Sequence, residues 1–160
     1  MVRVMATGVF DLLHPGHIHY LTEAKKLGDE LIVVVARDST AERFKHRPIV
    51  PEGQRLEMVQ ALKPVDRAVL GHEGSIYEIL PEIRPDLIAL GFDQAHDEAK
   101  ILEECRKRGL PSTKVVRLPK FVGDLDGTRK IIGRVGEYYA LRQKLEGVGD
   151  AEPKPKRKAA

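Results

Sequence analysis

Five short apolar runs rich in β-branched residues, most of them separated by helical patterns, constrain this chain more than any other feature. The runs cover residues 2–6, 31–36, 67–70, 87–90 and 114–118. Helical spacing of apolar residues follows at 16–27, 51–62, 75–83, 96–108 and 127–145. Strands that alternate with helices must lie parallel, because each connection crosses over one face of the sheet before the next strand begins. The chain is therefore predicted to be α/β: a doubly wound, five-stranded parallel sheet of Rossmann-like kind, in three αβα layers. Local signals agree with these limits. Pro51 then Glu52 suits a first helical turn, Gly28 is expected as the residue after the first helix, and Gly109 ends the fourth.

At 160 residues the chain fits one domain. Residues 1–146 are expected to form it, with 147–160 as a disordered basic tail ending in Lys154-Pro155-Lys156-Arg157-Lys158. The tail explains the net charge of +3. Residues 151–160 hold four of the 27 basic residues and one of the 24 acidic ones, which leaves 23 of each sign elsewhere. A neutral body argues against a nucleic-acid-binding face, which needs clustered basic residues on the fold itself. No apolar run reaches the length of a membrane span, and a single cysteine, Cys105, fits a reducing cytoplasm. Cys105 falls on an apolar helical stripe and reads as a core residue.

In a doubly wound sheet, ligands bind beyond the carboxyl ends of the strands. The segments 8–17, 91–94 and 119–128 all fall on that edge. The first, Gly8-Val9-Phe10-Asp11-Leu12-Leu13-His14-Pro15-Gly16-His17, sits where a strand hands over to a helix. A helix N-terminus offers unpaired N–H groups and the positive end of a dipole, and so suits phosphate. His14 and His17, three apart, share a helical face and can address one phosphoryl group, while Gly16 lets the backbone come close. Phosphoryl transfer with a phosphate as attacking group needs positioned donors and no general base. The same residues also admit a turn that merely caps a helix, or a metal site of His14, His17 and His19. The spacing of His17 and His19 speaks against the metal.

Gly8-Val9-Phe10-Asp11 followed by His14-Pro15-Gly16-His17 resembles the GTFD…HxGH signature of the nucleotidyltransferase superfamily that includes glycerol-3-phosphate cytidylyltransferase. Further residues resemble the archaeal-type FAD synthases of that superfamily: Ala36-Arg37-Asp38-Ser39-Thr40, Pro48-Ile49-Val50-Pro51 with Gln54-Arg55, 61–66, Leu90-Gly91-Phe92-Asp93-Gln94 and Arg117-Leu118-Pro119. The resemblance spans about residues 2–132. It implies the nucleotidylyl transferase type of fold and a Mg²⁺-dependent transfer of the adenylyl group of ATP to FMN, giving FAD and pyrophosphate. It also implies a homodimer.

By resemblance, His14 and His17 are the catalytic pair. Val9, Phe10, Pro15, Gly16, Asp93, Phe121, Thr128 and Arg129 join them around the nucleotide. Asp11, Lys45 and Arg55 are placed at substrate phosphate. Arg43, Lys45 and Arg47 are expected to form a basic lid. Phe92, Phe121, Ile76 and Tyr77 are expected beside a flavin. Two departures stand out: Val9 replaces a threonine, and Asp126-Gly127 stands where relatives carry serines, so Asp126 either opposes the polyphosphate or helps to place Mg²⁺. The alternatives are a cytidylyltransferase acting on a small phosphate and a nucleotide sensor without catalysis. A third reading makes the tail an RNA contact.

Overall fold

A computed structural model of the protein describes residues 1–44 and 46–149. Its elements alternate in the expected way: β1 (Arg3–Gly8), α1 (Pro15–Lys25), β2 (Glu30–Val35), α2 (Asp38–Phe44) and α3 (Glu52–Gln60). Then come β3 (Arg67–Leu70), α4 (Leu80–Ile83), β4 (Leu87–Leu90), α5 (Glu98–Lys107), β5 (Lys114–Arg117) and α6 (Thr128–Gly149). The five strands form one parallel sheet in the order β3-β2-β1-β4-β5. The order reverses between β1 and β4, so the crevice at the carboxyl ends of those two strands is the switch point.

The two-residue period of the strands divides the core. Val4, Ala6, Leu31, Val33 and Val35 face Leu21 and Ala24 of α1 and Val59 of α3. Met5, Ile32, Val34, Ile88 and Leu90 face Leu80 and Ile83 of α4, with Ile101 and Cys105 of α5. Cys105 is thus a buried core thiol, and burial pushes its pKa up.

Three local readings change. The helix expected at 75–83 is confined to α4, because Pro81 lacks an N–H and fits only a first turn. Arg84, left-handed at φ 52° and followed by Pro85, ends it. Gly28 does not adopt a positive φ; it is needed for room, since a Cβ there would lie 2.6 Å from the Val2 carbonyl oxygen. Helix α2 lies between the helical stretches expected from the sequence, and seven residues are too few for a helical period to show. Gly109, at φ 75°, follows α5 as expected. Helix α6 runs for 22 residues, about 33 Å, and its side chains from Ile132 to Glu146 are exposed. Of the expected tail, 147–149 continue α6 and 150–160 lie outside the described residues.

Candidate active site

The turn from β1 to α1 is held in an uncommon shape. Phe10 takes a left-handed φ of 54°, which costs an L-residue on the order of 1 kcal/mol or more. Burial of its ring offsets this: Phe10 is 3% exposed, with ring centroids 5.2 Å from His17 and 6.5 Å from Tyr20. Gly8 makes space for that ring, since a Cβ would lie 2.8 Å from Phe10 Cζ.

Two charged side chains clasp the turn from below. Arg55 is fully buried, donating through Nε to the Val50 carbonyl at 2.9 Å and through Nη2 to Asp38 Oδ1 at 2.6 Å. Its Nη1 donates to the Val9 carbonyl. Asp11, 5% exposed, accepts from the N–H groups of Ile49 at 3.0 Å and Val50 at 2.8 Å. Around them, Glu52 accepts from Arg37 at 3.0 Å and from the Asp38 N–H at 2.7 Å. Arg55 and Asp11, both expected at substrate phosphate, are enclosed here, and their hydrogen bonds go to the scaffold. The Val9 carbonyl is likewise taken by Arg55. The signal for this lay far away in sequence, in Val9 and Asp38, where no local pattern could reveal it.

His14 caps α1 with extended backbone and Pro15 takes the first helical position. The imidazoles of His14 and His17 stack with centroids 3.7 Å apart and 24° between planes. Burial holds the His14 pKa below its ordinary value, against the opposing pull of Asp126 and Asp93. A neutral His14 ring can stack on its neighbour without charge repulsion. Gly16 is required here, because a Cβ would lie 2.7 Å from the Asp126 carbonyl oxygen and 2.9 Å from His14 Nδ1. The loop after β5 thus closes directly onto the start of α1.

At the switch point, the pairing of β1 with β4 stops at Ala6 and Ala89. Past it, Tyr20 Oη accepts from the Thr7 N–H at 3.2 Å and donates to the Ala89 carbonyl at 2.8 Å. Burial pushes that hydroxyl's pKa up. Gln94 Nε2 donates to the Thr7 carbonyl at 2.7 Å, and its Oε1 accepts from the Gly91 N–H at 3.0 Å. Arg117 grips the same loop, donating to the carbonyls of Gly91 at 3.1 Å, Gln94 at 3.0 Å and His96 at 3.0 Å. Sequence reasoning missed the role of all three. Tyr20 gave a signal, because it adjoins Leu21 on the buried stripe of α1 and a buried hydroxyl needs a partner. Asp93, in the loop so held, is exposed, and its charge reaches His14.

Asp126 pairs with Lys130 at 2.7 Å, which lowers its carboxyl pKa. Thr128 opens α6 half-buried, and Arg129 is exposed beside it. Phe121 lies 5.2 Å from the His19 ring, and together with Leu13, His14, Pro15, Ile18 and Thr22 they line an open, largely apolar groove of about 620 Å³. Of the four residues expected beside a flavin, Phe121 lines this groove and Ile76, Tyr77 and Phe92 do not. Tyr77 packs in the α4–α5 core layer under Arg108, and Phe92 lies 5.2 Å from Lys120 Nζ. In the expected basic lid, Arg43 belongs to α2 and donates to the Glu73 carbonyl at 2.7 Å, while Arg47 pairs with Glu42 at 3.6 Å. Lys45 lies outside the described residues. Among the described residues, no three His, Cys, Asp or Glu side chains gather closely enough to hold a metal ion.

A cytidylyltransferase-like family model matches residues 5–121, the span that carries the histidine turn and the Asp93 loop. The chain belongs to the cytidylyltransferase-like family. An Aciduliprofundum boonei protein named FAD synthase is 63% identical over 145 residues, covering 88% of this chain and 97% of that protein. A Thermoplasma volcanium protein of the same name is 52% identical over 143 residues, covering 87% and 100%. A crystal structure titled as a lipopolysaccharide core biosynthesis protein from Thermoplasma volcanium superposes with a TM-score of 0.74. It is 56% identical and covers 76% of this chain and 99% of that one. The family match ends at Phe121, so Asp126, Thr128 and Arg129 lie outside it.

Proposed function

We infer that this chain is an FMN adenylyltransferase, an FAD synthase. A phosphate oxygen of FMN attacks the α-phosphorus of ATP, and the bond from that phosphorus to the bridging oxygen of the β-phosphate breaks. The bond's electron pair leaves with pyrophosphate, and FAD is the product. The observation that carries the reading is the stacked His14–His17 pair at a strand–turn–helix junction. It occurs in a chain whose near-full-length relatives bear the name FAD synthase.

In this reading His14 and His17 donate hydrogen bonds to oxygens on the α-phosphorus, where charge spreads in the transition state. The attacking phosphate is already anionic, so neither imidazole has to act as a base. The helix N-terminus at Pro15 and Gly16 adds its dipole to the same anion. Exposed Asp93 receives the ribose hydroxyls, and Thr128 and Arg129 hold the departing pyrophosphate. Lys45 contributes a further cation at substrate phosphate. Magnesium arrives with the phosphates of ATP as part of that substrate, since the described residues offer no cage of their own.

The reading places the enzyme in the cytoplasm as a homodimer. Among the described residues no helix is long and apolar enough to cross a membrane. The dimer is supported by the exposed Ile132, Val135, Tyr138, Tyr139, Leu141 and Leu145 of α6, which a second copy would cover.

A product assay tests the function. Purified protein with Mg²⁺ is offered ATP plus FMN, and separately CTP plus glycerol 3-phosphate. The expected result is FAD and pyrophosphate from the first pair alone. CDP-glycerol from the second pair would transfer the assignment to the cytidylyltransferases, and tight nucleotide binding with no product would make the protein a sensor.

A further inference from the structure

The two halves of the candidate site come from strands that part company. Beyond Ala6 and Ala89, β1 turns toward α1 on one face and β4 toward α5 on the other. Two side chains bridge the opening. Tyr20 comes from α1, inside the core layer, and ties the Thr7 N–H to the Ala89 carbonyl. Gln94 comes from the far loop and ties the Thr7 carbonyl to the Gly91 N–H. Thr7 immediately precedes the turn that leads to His14, and Gly91 opens the loop that carries Asp93. Gln94 is therefore the side chain whose amide joins the histidine half to the Asp93 half.

We propose that Gln94 is a positioning residue that sets the distance between the histidine pair and Asp93, and with it the fit of the nucleotide. The proposal rests on the adenylyltransferase reading, in which His14 and His17 address the α-phosphate and Asp93 the ribose. An amide suits this task because one group donates in one direction while the other accepts in the opposite one. Arg117 holds the loop to itself, through the carbonyls of Gly91, Gln94 and His96, and reaches nothing on β1. It keeps the loop's shape, and Gln94 fixes where that shape sits. In that reading the ribose alone is held from the Asp93 half, so the fit of the nucleotide depends on this bridge more than that of the acceptor does.

Steady-state kinetics of Gln94→Met and Gln94→Glu, with ATP and FMN varied separately, test the assignment. Met keeps the volume and loses both hydrogen bonds; Glu keeps the acceptor toward Gly91 and loses the donor toward Thr7. The KM for ATP is expected to rise about tenfold in Q94M and at least as much in Q94E, whose carboxylate oxygen would face the Thr7 carbonyl, with the KM for FMN within about twofold of the parent. An unchanged KM for ATP in both variants would overturn the proposal. So would an equal rise for both substrates, which would mean general loosening of the edge. If the parent protein makes no FAD, the functional reading fails instead. Calorimetric titration of the parent and Q94M with ATP alone then decides the role of Gln94: about tenfold weaker binding upholds it, and equal binding overturns it.

Discussion

On the β2–β3 side of the switch point, the charged side chains nearest the site turn inward and are bonded within the scaffold; on the β4–β5 side Asp93 and Arg129 stay open. Arg55 is fully buried and Asp11 nearly so, with Arg37, Asp38 and Glu52 completing the lattice around the strained turn at Phe10. Across the crevice, Asp93 and Arg129 are exposed, on segments fixed at their edges by Arg117 and by the Asp126–Lys130 pair. The difference separates two uses of charge on one sheet edge. A charged group desolvated and fully bonded shapes the turn that presents the histidines, whereas one left in water remains available to a ligand.

The strongest way to break this comparison is Arg55→Met. Loss of a buried guanidinium orphans the carbonyls of Val9 and Val50, and is expected to cost about 3 kcal/mol in denaturant unfolding. A stable R55M with a raised KM for substrate phosphate would return Arg55 to the ligand-binding side. Asp93→Asn sharpens the other half: an unchanged melting temperature with the KM for ATP raised about tenfold is expected. A melting temperature that falls as far as in R55M would erase the distinction between the two sides.

The smallest effect concerns pH. Burial lowers the His14 pKa from its ordinary 6.5, so the unfolded chain takes up this proton first as the pH falls. The stability tied to a neutral His14 is complete above that value and declines below it, until the folded imidazole also protonates. Between about pH 7 and about pH 5.5, the melting temperature of the parent is expected to drop further than that of His14→Gln. Parallel curves would show that His14 is not held neutral.

Much of the architecture could be read from the chain. The apolar runs at 67–70 and 87–90 coincide with β3 and β4 in full, the one an edge strand with no buried residue and the other an inner, largely buried strand, so a short apolar run bounded by polar residues and turns was enough in both settings. The histidine turn was legible for a related reason, since Pro15 and Gly16 are local signals of a helix start and a close approach. Arg55 was not legible. Its partners Val9 and Asp38 lie 46 and 17 residues away, and sequence shows the charge without showing its burial. Gln94 was hidden in the same way, with Thr7 87 residues distant. Helix α2 escaped because its buried face is only Thr40 and Ala41.

The measurement that bears most directly on this account is the rate of FAD formation by the double variant His14→Ala, His17→Ala, with its melting temperature recorded alongside. If the stacked pair carries the transition-state charge, kcat/KM falls by about a thousandfold or more while the fold still melts cooperatively near the parent's temperature. FAD formed at the parent's rate by the folded double variant would contradict the central claim.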